Sequence, residues 1–407
     1  MTCITCIEDL RALAQRRVPR MFYDYADSGS WTESTYRANQ ADLQQLLLRQ
    51  RVAIDIDRRS TATTLLGQRL SMPLALAPVG ALGMQHADGE ILAARAARAF
   101  GVPFTLSTMS ICSIEDVAEH AGPGFWFQLY VMRDRAFARR LVERARAAGC
   151  TALVLTLDLS LVGQRHKDLK NGLTDPSRMN LRQLLDVARH PRWALGMAGT
   201  PRRAFGNVVG HAPGIDSMAD MARWRGGELD PSLNWADVAE IRRWWDGPLL
   251  LKGIQDVDDA RNAVAHGADA IVVSNHGGRQ LDGTQSSIRA LPPIVEAVGA
   301  QTEVWMDGGI RSGQDVLRAR ALGARGCLLG RAFVYGLGAL GEAGVSRALE
   351  IIHNELSLSM AFCGHTDIEA VGPSILLPPC PWPGASALPH GPLHPGRDAR
   401  LPTGDLS

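Results

Sequence analysis

The sequence has no long hydrophobic run and no excess of charge of one sign. No stretch reaches the roughly 18 to 20 apolar residues that a membrane span requires, and the chain does not start with a charged and then apolar leader. Lys and Arg number 43 against 42 Asp and Glu, so no global field favours nucleic acid. We therefore expect a protein that is neither secreted nor transmembrane and that binds no nucleic acid.

Cysteine is sparse, with seven residues scattered along the chain. Several lie inside apolar runs, where a thiol behaves as a small hydrophobic side chain, and this usage suits a reducing cytoplasm. Cys3 and Cys6 form a CxxC pair, a spacing also used by redox and zinc sites. Because no second pair follows and no strand precedes it, we interpret the pair as an ordinary N-terminus.

The motifs of several common enzyme classes are missing as well. There is no HExxH, no paired Cys/His spacing and no tight carboxylate cluster, so we expect no metal. There is no GxSxG nucleophile. No GxGxxG follows the first predicted strand, where a doubly wound dinucleotide-binding sheet would carry one.

What the chain does have is a regular alternation of short apolar runs and amphipathic segments. The segments with apolar residues at three- and four-residue spacing, typical of helices, are 88–100, 114–120, 134–148, 236–245, 257–266 and 313–322. The apolar runs, which we interpret as strands, are 73–78, 103–107, 125–130, 152–158, 248–252, 269–274, 303–307 and 325–330. Eight strands separated by helices predict an α/β fold, a closed (β/α)8 TIM barrel.

The predicted barrel domain spans residues 1–377 and begins with a lead-in whose first seventy residues read as helices. A long insertion, 160–229, follows the fourth strand and carries eleven Lys or Arg against six Asp or Glu. Within it Leu181, Leu184 and Leu185 share a helical face beside arginines. This pattern fits a helix on an anionic membrane surface, and equally a lid or an oligomer contact. Residues 378–407 are rich in Pro and Gly, and we expect this tail to be disordered.

Polar side chains stand at the carboxyl ends of the predicted strands, which is the catalytic face of a barrel. Directly after the strand 269–274, His276 and Arg279 pair a proton acceptor with an anion-binding group, separated by two glycines. Taken alone, this segment could be an ordinary strand end with a polar turn. The other strand-end residues are Gln128, Tyr130, Thr156, Asp158, Lys252, Ser274 and Asp307.

Glycine-rich turns follow the last two strands. Gly308 and Gly309 precede Arg311, and Gly330 precedes Arg331. Each turn alone could be structural, but a barrel binds phosphate at this place through exposed N–H groups and a cation. Arg165 and Arg279 could bind a carboxylate beside His276, with the phenols Tyr25 and Tyr130 as further polar groups, which favours a reaction at the α carbon of a carboxylic acid.

These motifs closely resemble the FMN-dependent L-2-hydroxy acid dehydrogenases and oxidases, which include glycolate oxidase, respiratory L-lactate dehydrogenase and mandelate dehydrogenase. SNHGGRQLDG, 274–283, is highly specific to that family. LAPVG (76–80), TLSTMSICSIEDVA (105–118) and FQLYVMRDR (127–135) look most like the bacterial respiratory L-lactate dehydrogenases. The resemblance covers about residues 5–375, and it implies FMN as the cofactor and an L-2-hydroxy acid as the substrate.

The resemblance also implies a role for each matching residue. His276 is the expected base, with Asp158, Tyr130 and Lys252 completing the catalytic set. The residues expected to bind the substrate are Tyr25, Tyr130, Arg165 and Arg279. Those expected to hold FMN are Pro78, Val79, Gly80, Ser107, Gln128, Thr156, Lys252, Ser274, Asp307, Gly308, Gly309, Arg311, Gly330 and Arg331.

Two departures bear on substrate and acceptor. Gly80 stands where oxidases of the family commonly have alanine, which favours a dehydrogenase that passes electrons to a quinone or another respiratory acceptor over an oxygen-using oxidase. Met109 stands where glycolate oxidase has a large aromatic residue, so the side-chain pocket differs. We expect L-lactate as the substrate, with mandelate and longer 2-hydroxy acids as alternatives.

The resemblance also suggests a homotetramer. The cysteine usage favours a location in the cytoplasm, and the basic insertion leaves peripheral contact with the inner face of the cell membrane as an option. An FMN-dependent isomerase would keep the phosphate turns but would not need two arginines and a tyrosine around one histidine. If the barrel were a non-catalytic scaffold, with the basic insertion as a binding module, the residues at the strand ends could be exchanged without loss of function.

Overall fold

A computed structural model describes residues 3–172, 180–216 and 229–378. Parts of the basic insertion, 173–179 and 217–228, and the tail from 379 onward lie outside the described residues. The expectation of a disordered tail therefore stays a prediction. Among the described helices none is both long enough and apolar enough to span a bilayer.

Eight parallel strands form one continuous sheet in the order β3-β10-β9-β8-β7-β6-β5-β4. They are β3 (Leu74–Leu76), β4 (Thr105–Ser107), β5 (Trp126–Leu129), β6 (Ala152–Thr156), β7 (Leu249–Ile254), β8 (Ala270–Val273), β9 (Glu303–Asp307) and β10 (Gly326–Leu329). A parallel bridge between Leu76 and Phe104 joins the first strand to the second and closes the ring. The predicted TIM barrel is confirmed, and each predicted strand overlaps an observed one.

The barrel interior is filled by side chains from alternate strand positions. Trp126 and Trp305 meet there edge to face, with ring centroids 5.5 Å apart, and the surrounding residues include several alanines and valines. Two bulky indoles among small neighbours fill the tapering centre, so the barrel is a packed core and no pore.

The expectation that the first seventy residues are helical is wrong for their last part. Helices α1 (Ile7–Arg17), α2 (Arg20–Asp27) and α3 (Ser34–Gln45) form the lead-in, but β1 (Thr63–Leu65) and β2 (Gln68–Leu70) then pair as an antiparallel hairpin. Gly67 in its turn has φ +72°, a conformation that favours glycine. The hairpin buries Leu65 and Leu70 against the interior cluster, a long-range contact that outweighs local propensity.

The remaining helices connect the barrel strands, belong to the insertion or follow the last strand. They are α4 (Gly89–Phe100), α5 (Ile114–Ala121), α6 (Arg135–Ala147), α7 (His166–Lys170), α8 (Leu181–Ala188), α9 (Pro191–Gly199), α10 (Trp235–Trp244), α11 (Val257–Ala265), α12 (Ser287–Val298), α13 (Gly313–Ala321), α14 (Arg331–Leu340) and α15 (Glu342–Phe362). Helix α12 was not among the predicted helices, and it contains Pro292 and Pro293, which disfavour a helix interior. Burial of Ile288, Leu291 and Ile294 keeps the segment helical.

Candidate active site

A cavity of about 770 Å³ opens at the carboxyl ends of the barrel strands. The predicted site residues that line it are Tyr25, Pro78, Val79, Gly80, Tyr130, Arg165, Lys252, His276, Arg279, Asp307, Gly308, Gly309, Arg311, Gly330 and Arg331. The others, Ser107, Gln128, Thr156, Asp158 and Ser274, lie behind this lining. Residues from all parts of the chain thus converge on one cavity.

His276 and Asp158 form a hydrogen-bonded pair in this cavity wall. His276 Nδ1 lies 2.8 Å from Asp158 Oδ1, and the backbone at His276 has φ +57°. The main-chain N–H of His276 donates to Ser274 Oγ at 3.0 Å, which supports this unusual backbone conformation. Because Asp158 engages Nδ1, Nε2 is the nitrogen left to act as a base.

Asp158 is held as a carboxylate by its neighbours. Burial alone would raise the pKa of its carboxyl, but His276 and then Lys252 outweigh that effect, so the pKa of Asp158 lies below the ordinary value of 3.8. A Cβ at Gly253, whose φ is +103°, would lie 2.7 Å from Asp158 Cγ. Glycine is required at this irregular point of β7, and sequence reasoning missed it.

Hydrogen bonds from a residue of helix α3 hold the turn that carries His276. Asn39 and Asn275 exchange two side-chain hydrogen bonds of 2.8 Å, and the N–H of Gly278 donates to Asn275 Oδ1. Gln280 donates to the carbonyl of Asp158 at 2.7 Å. Sequence reasoning assigned no role to these side chains. Asn275 and Gln280 lie in the SNHGGRQLDG motif, which is a usable signal, whereas Asn39 carries none.

Two arginines and a tyrosine form the cationic side of the cavity. The guanidinium carbons of Arg279 and Arg165 lie 4.9 and 5.7 Å from the ring centre of Tyr25. Arg165 also pairs with Asp168 at 2.6 Å. Burial and the charge of Arg165 lower the pKa of Arg279 to about 10. Two crowded cations of this kind favour an anionic ligand.

The Tyr130 hydroxyl belongs to the same wall. Burial is the largest cause that raises its pKa far above the ordinary value, and the charge of Asp158 adds to it. The phenol is therefore neutral and able to donate a hydrogen bond at physiological pH.

Lys252 is a buried ammonium group at the end of β7. Its Nζ donates to Ser274 Oγ at 2.8 Å and pairs with Asp307 Oδ2 at 2.9 Å. Burial opposes the charge, but Asp307 and Asp158 outweigh it and raise the pKa of Lys252. A fixed positive charge thus lies at the cavity floor.

The glycine turns after β9 and β10 provide an anion site. Gly308 and Gly309 have φ +94° and +88°, and a side chain on Gly309 would collide with the backbone of Asn39. Arg311 and Arg331 reach the cavity from the two turns. Within residues 3–172, 180–216 and 229–378, neither arginine forms an ion pair with a carboxylate. A phosphate would supply the missing negative charge.

The buried polar groups fit a ligand with a polar edge. Ser107 Oγ donates to Gln128 Oε1 at 3.0 Å, and Gln128 Nε2 has no partner among the residues that the structure describes. Thr156 Oγ1 and Asp307 Oδ1 are unpartnered too. Such groups are costly unless a ligand satisfies them. Together with the phosphate site they match FMN, which has a polar ring edge, a ribityl chain and a terminal phosphate. Among the described residues no group of three His, Cys, Asp or Glu could hold a metal ion.

Comparison with known proteins assigns the family. The profile of the family described as FMN-dependent dehydrogenase matches residues 14–378. The chain belongs to this family. FMN is accordingly its cofactor, and the protein is an FMN-dependent oxidoreductase.

Other members of the FMN-dependent dehydrogenase family align over almost their whole length. The L-lactate dehydrogenase of Ectopseudomonas mendocina (strain ymp) is 46% identical, over 92% of this chain and 99% of that protein. The L-lactate dehydrogenase of Caulobacter sp. (strain K31) is 48% identical, over 92% and 98%. Among solved structures, the monotopic membrane protein (S)-mandelate dehydrogenase has a TM-score of 0.88 at 37% identity, over 92% of this chain and 100% of that one.

Proposed function

We propose that this FMN-dependent dehydrogenase oxidises an L-2-hydroxy acid to the corresponding 2-oxo acid, and that its preferred substrate is L-lactate. The observation that carries the proposal is the pairing of His276 with Asp158 in the same cavity as Arg165 and Arg279. A base beside two carboxylate-binding cations suits a substrate that carries a carboxylate next to its reacting carbon. The L-lactate dehydrogenases that align with the chain support the choice of lactate.

Arg165, Arg279 and Tyr25 bind and orient the substrate carboxylate in this proposal. The paired guanidinium groups offer several N–H donors in planar arrays, which match carboxylate geometry. With the carboxylate fixed, the α carbon and its hydroxyl face His276. Tyr130 donates a hydrogen bond to the substrate oxygen, because its high pKa keeps the phenol protonated.

His276 Nε2 accepts the proton. It takes this proton from the α carbon, or from the hydroxyl as hydride leaves, and both routes end with the imidazole protonated. Asp158 stabilises the resulting imidazolium and holds the ring orientation through Nδ1. Because Asp158 stays ionised, the positive charge on His276 forms beside an existing negative charge.

When bound, FMN supplies the two-electron acceptor for the substrate. The residues that would hold its polar ring edge are Ser107, Gln128, Thr156, Ser274 and Lys252, with Pro78, Val79 and Gly80 alongside. Those that would hold the ribityl chain and phosphate are Asp307, Gly308, Gly309, Arg311, Gly330 and Arg331. The charge of Lys252 favours a negatively charged ring.

Electrons then pass to a quinone or another respiratory acceptor. Gly80 supports this part of the proposal, because it stands where oxidases of the family commonly have alanine. Assembly as a homotetramer is part of the same proposal and rests on the family resemblance alone.

We propose that the protein associates peripherally with the membrane surface. Helices α8 and α9 of the insertion expose Leu181, Leu184, Leu185 and Leu195, each at least half exposed. Trp193 anchors them to the barrel: its Nε1 donates to the Met84 carbonyl at 2.9 Å. The basic composition of the insertion complements anionic lipid headgroups. The structural relative described as a monotopic membrane protein supports the same location.

Anaerobic stopped-flow reduction tests the proposed chemistry. The purified flavoprotein is mixed with L-lactate, D-lactate, L-mandelate and glycolate, and bleaching of the visible flavin band is followed. We expect fast bleaching by L-lactate and none by D-lactate. Faster bleaching by L-mandelate would identify mandelate rather than lactate as the preferred substrate. No bleaching by any of the acids would refute the proposed 2-hydroxy acid oxidation. Mixing the reduced protein with a quinone or with air identifies the acceptor.

A further inference from the structure

Besides residues near its start (162–169) and Leu229 at its end, the insertion contributes Phe205 to the wall of the active-site cavity. Among the described residues 180–216, Phe205 alone lines the cavity. The rest of that stretch packs elsewhere or faces solvent. A single aromatic ring delivered from a distant segment suggests a defined task at the cavity wall.

Phe205 lines the same cavity as Tyr25 and Met109. A Cβ on Gly80 would lie 3.3 Å from Tyr25 Oη and 3.4 Å from Met109 Cβ. Met109 therefore borders the carboxylate-binding end. The N–H of Gly206, next to Phe205, donates to the carbonyls of Ser110 and Ile111 at 3.2 Å, directly after Met109. Met109 and Phe205 both line the cavity, and these hydrogen bonds hold their backbone segments against each other, so the two side chains belong to neighbouring parts of its wall.

Phe205 is locked in place by Asn207, which is fully buried. Asn207 Oδ1 accepts the N–H of Ile114, the first residue of α5, at 2.9 Å. Asn207 Nδ2 donates to Ser110 Oγ at 2.9 Å. One amide therefore joins the insertion to both the loop after β4 and the start of the next helix.

Two further features hold this segment from outside. Arg144 donates to the carbonyl of Asn207 at 3.3 Å and forms two hydrogen bonds to Glu115 at 2.8 and 2.6 Å. A Cβ at Gly206 would lie 2.7 Å from the backbone nitrogen of Ser113, so the segment is seated as closely as backbone contact allows. The position of Phe205 is thus built into the fold.

We propose that Phe205 sets the upper size limit on the substrate side chain, and that Asn207 is the positioning residue that holds Phe205 against the cavity. The proposal rests on the proposed function and deepens it. The preferred substrates are then L-2-hydroxy acids with a short apolar side chain. Removing the Phe205 ring opens space for longer aliphatic acids, because a hydrophobic pocket selects among substrates by the volume available to the substrate side chain.

The test compares kcat/KM for L-lactate and L-2-hydroxyoctanoate in FMN-loaded variants. We expect Phe205→Ala to raise the ratio of kcat/KM for L-2-hydroxyoctanoate to kcat/KM for L-lactate by about tenfold or more. Phe205→Trp should lower this ratio. Asn207→Ala should raise the ratio in the same direction as Phe205→Ala, mainly through a lower KM for the long acid. Val209→Ala, in the same segment but outside the cavity lining, is the matched control with an unchanged ratio.

Two outcomes would overturn the proposal. One is an equal change for both acids in Phe205→Ala, which would indicate a structural role only. The other is an unchanged ratio in both Phe205 variants. Failure of the underlying function looks different, since the unaltered protein would then be reduced by neither acid. If Asn207→Ala does not fold, the opposite signs expected for the two Phe205 variants still decide the size limit.

Discussion

Arg279 and Arg331 donate hydrogen bonds to the same main-chain oxygen, the carbonyl of Ser28, at 3.0 and 2.8 Å. Arg279 also donates to the carbonyl of Tyr25, and Arg331 to that of Ala26. The carboxyl end of α2 thus supports one arginine of the proposed carboxylate site and one of the proposed phosphate site. A helix carboxyl end favours cations, so this placement suits both.

The shared support predicts that one change affects both ligands. Asp27, between these carbonyls, accepts two hydrogen bonds from Arg11 and one from Tyr335. Asp27→Asn should weaken FMN binding and raise the KM for lactate together, each by about tenfold, since it loosens a charged and buried contact. FMN fluorescence titration and steady-state kinetics measure the two effects. Glu143→Gln, at a side chain 54% exposed that pairs with Arg139, is the control, and a change in one ligand alone would contradict the coupling.

The base predicts a separation of cofactor binding from chemistry. His276→Gln should keep the bound flavin and its visible spectrum but slow flavin reduction by about 10²- to 10⁴-fold, because it removes the proton acceptor without touching the phosphate site. Stopped-flow reduction measures the rate. His266→Gln, at a half-buried position outside the cavity lining, should leave that rate unchanged. Undiminished reduction in His276→Gln would refute the assignment of the base.

The Asp158 carboxylate predicts a specific pH effect. Its lowered pKa keeps it ionised, so a negative charge lies 2.8 Å from the imidazole of His276. Asp158→Asn removes that charge. We expect a lower kcat and an acidic limb of the kcat profile that moves to lower pH. Asp246→Asn, at a side chain 87% exposed, is the control. An acidic limb that stays in place would argue that another group controls it.

Asp282 predicts how stability depends on pH. Its carboxylate accepts the N–H groups of Thr32 and Thr35 and the hydroxyls of Thr32 and Ser34. Burial alone would raise the pKa of Asp282, but these bonds hold it well below 3.8. A carboxyl whose pKa is lowered by folding stabilises the protein above about pH 3.8, and this stabilisation is lost as pH falls through the lowered pKa. Asp282→Asn should therefore lower the urea midpoint more at about pH 7 than at about pH 3.5.

The exposed leucines predict membrane association. Replacing Leu184 and Leu185 with Asp should reduce sedimentation with anionic vesicles, because charged side chains oppose insertion of the helix face. Reduction of a soluble dye should be unchanged, since neither leucine lines the cavity. Leu47→Asp, at a residue 60% exposed outside the insertion, is the matched control. Unchanged sedimentation in the double variant would refute docking through α8.

The barrel and most of its site could be read from local patterns. Each barrel strand is recognisable in the sequence as a short apolar run. Because barrel geometry places the carboxyl ends of all strands at one face, residues such as Lys252 and His276 could be expected to lie close together. The hairpin 63–70 and helix α12 could not be read. In both, buried long-range contacts decide the structure: Leu65 and Leu70 of the hairpin pack on the barrel interior, and burial of Ile288, Leu291 and Ile294 keeps α12 helical despite its two prolines.

By itself, the sequence determined the eight-strand count, the family motif at 274–283 and the candidate residues at the strand ends, because these are repeating or contiguous patterns. Only the tertiary structure decided which residues support them. Asn39 meets Asn275, and Asn207 meets Ser110, across long separations in the chain. Such pairs depend on how distant segments pack, and no local pattern in either segment records the partner.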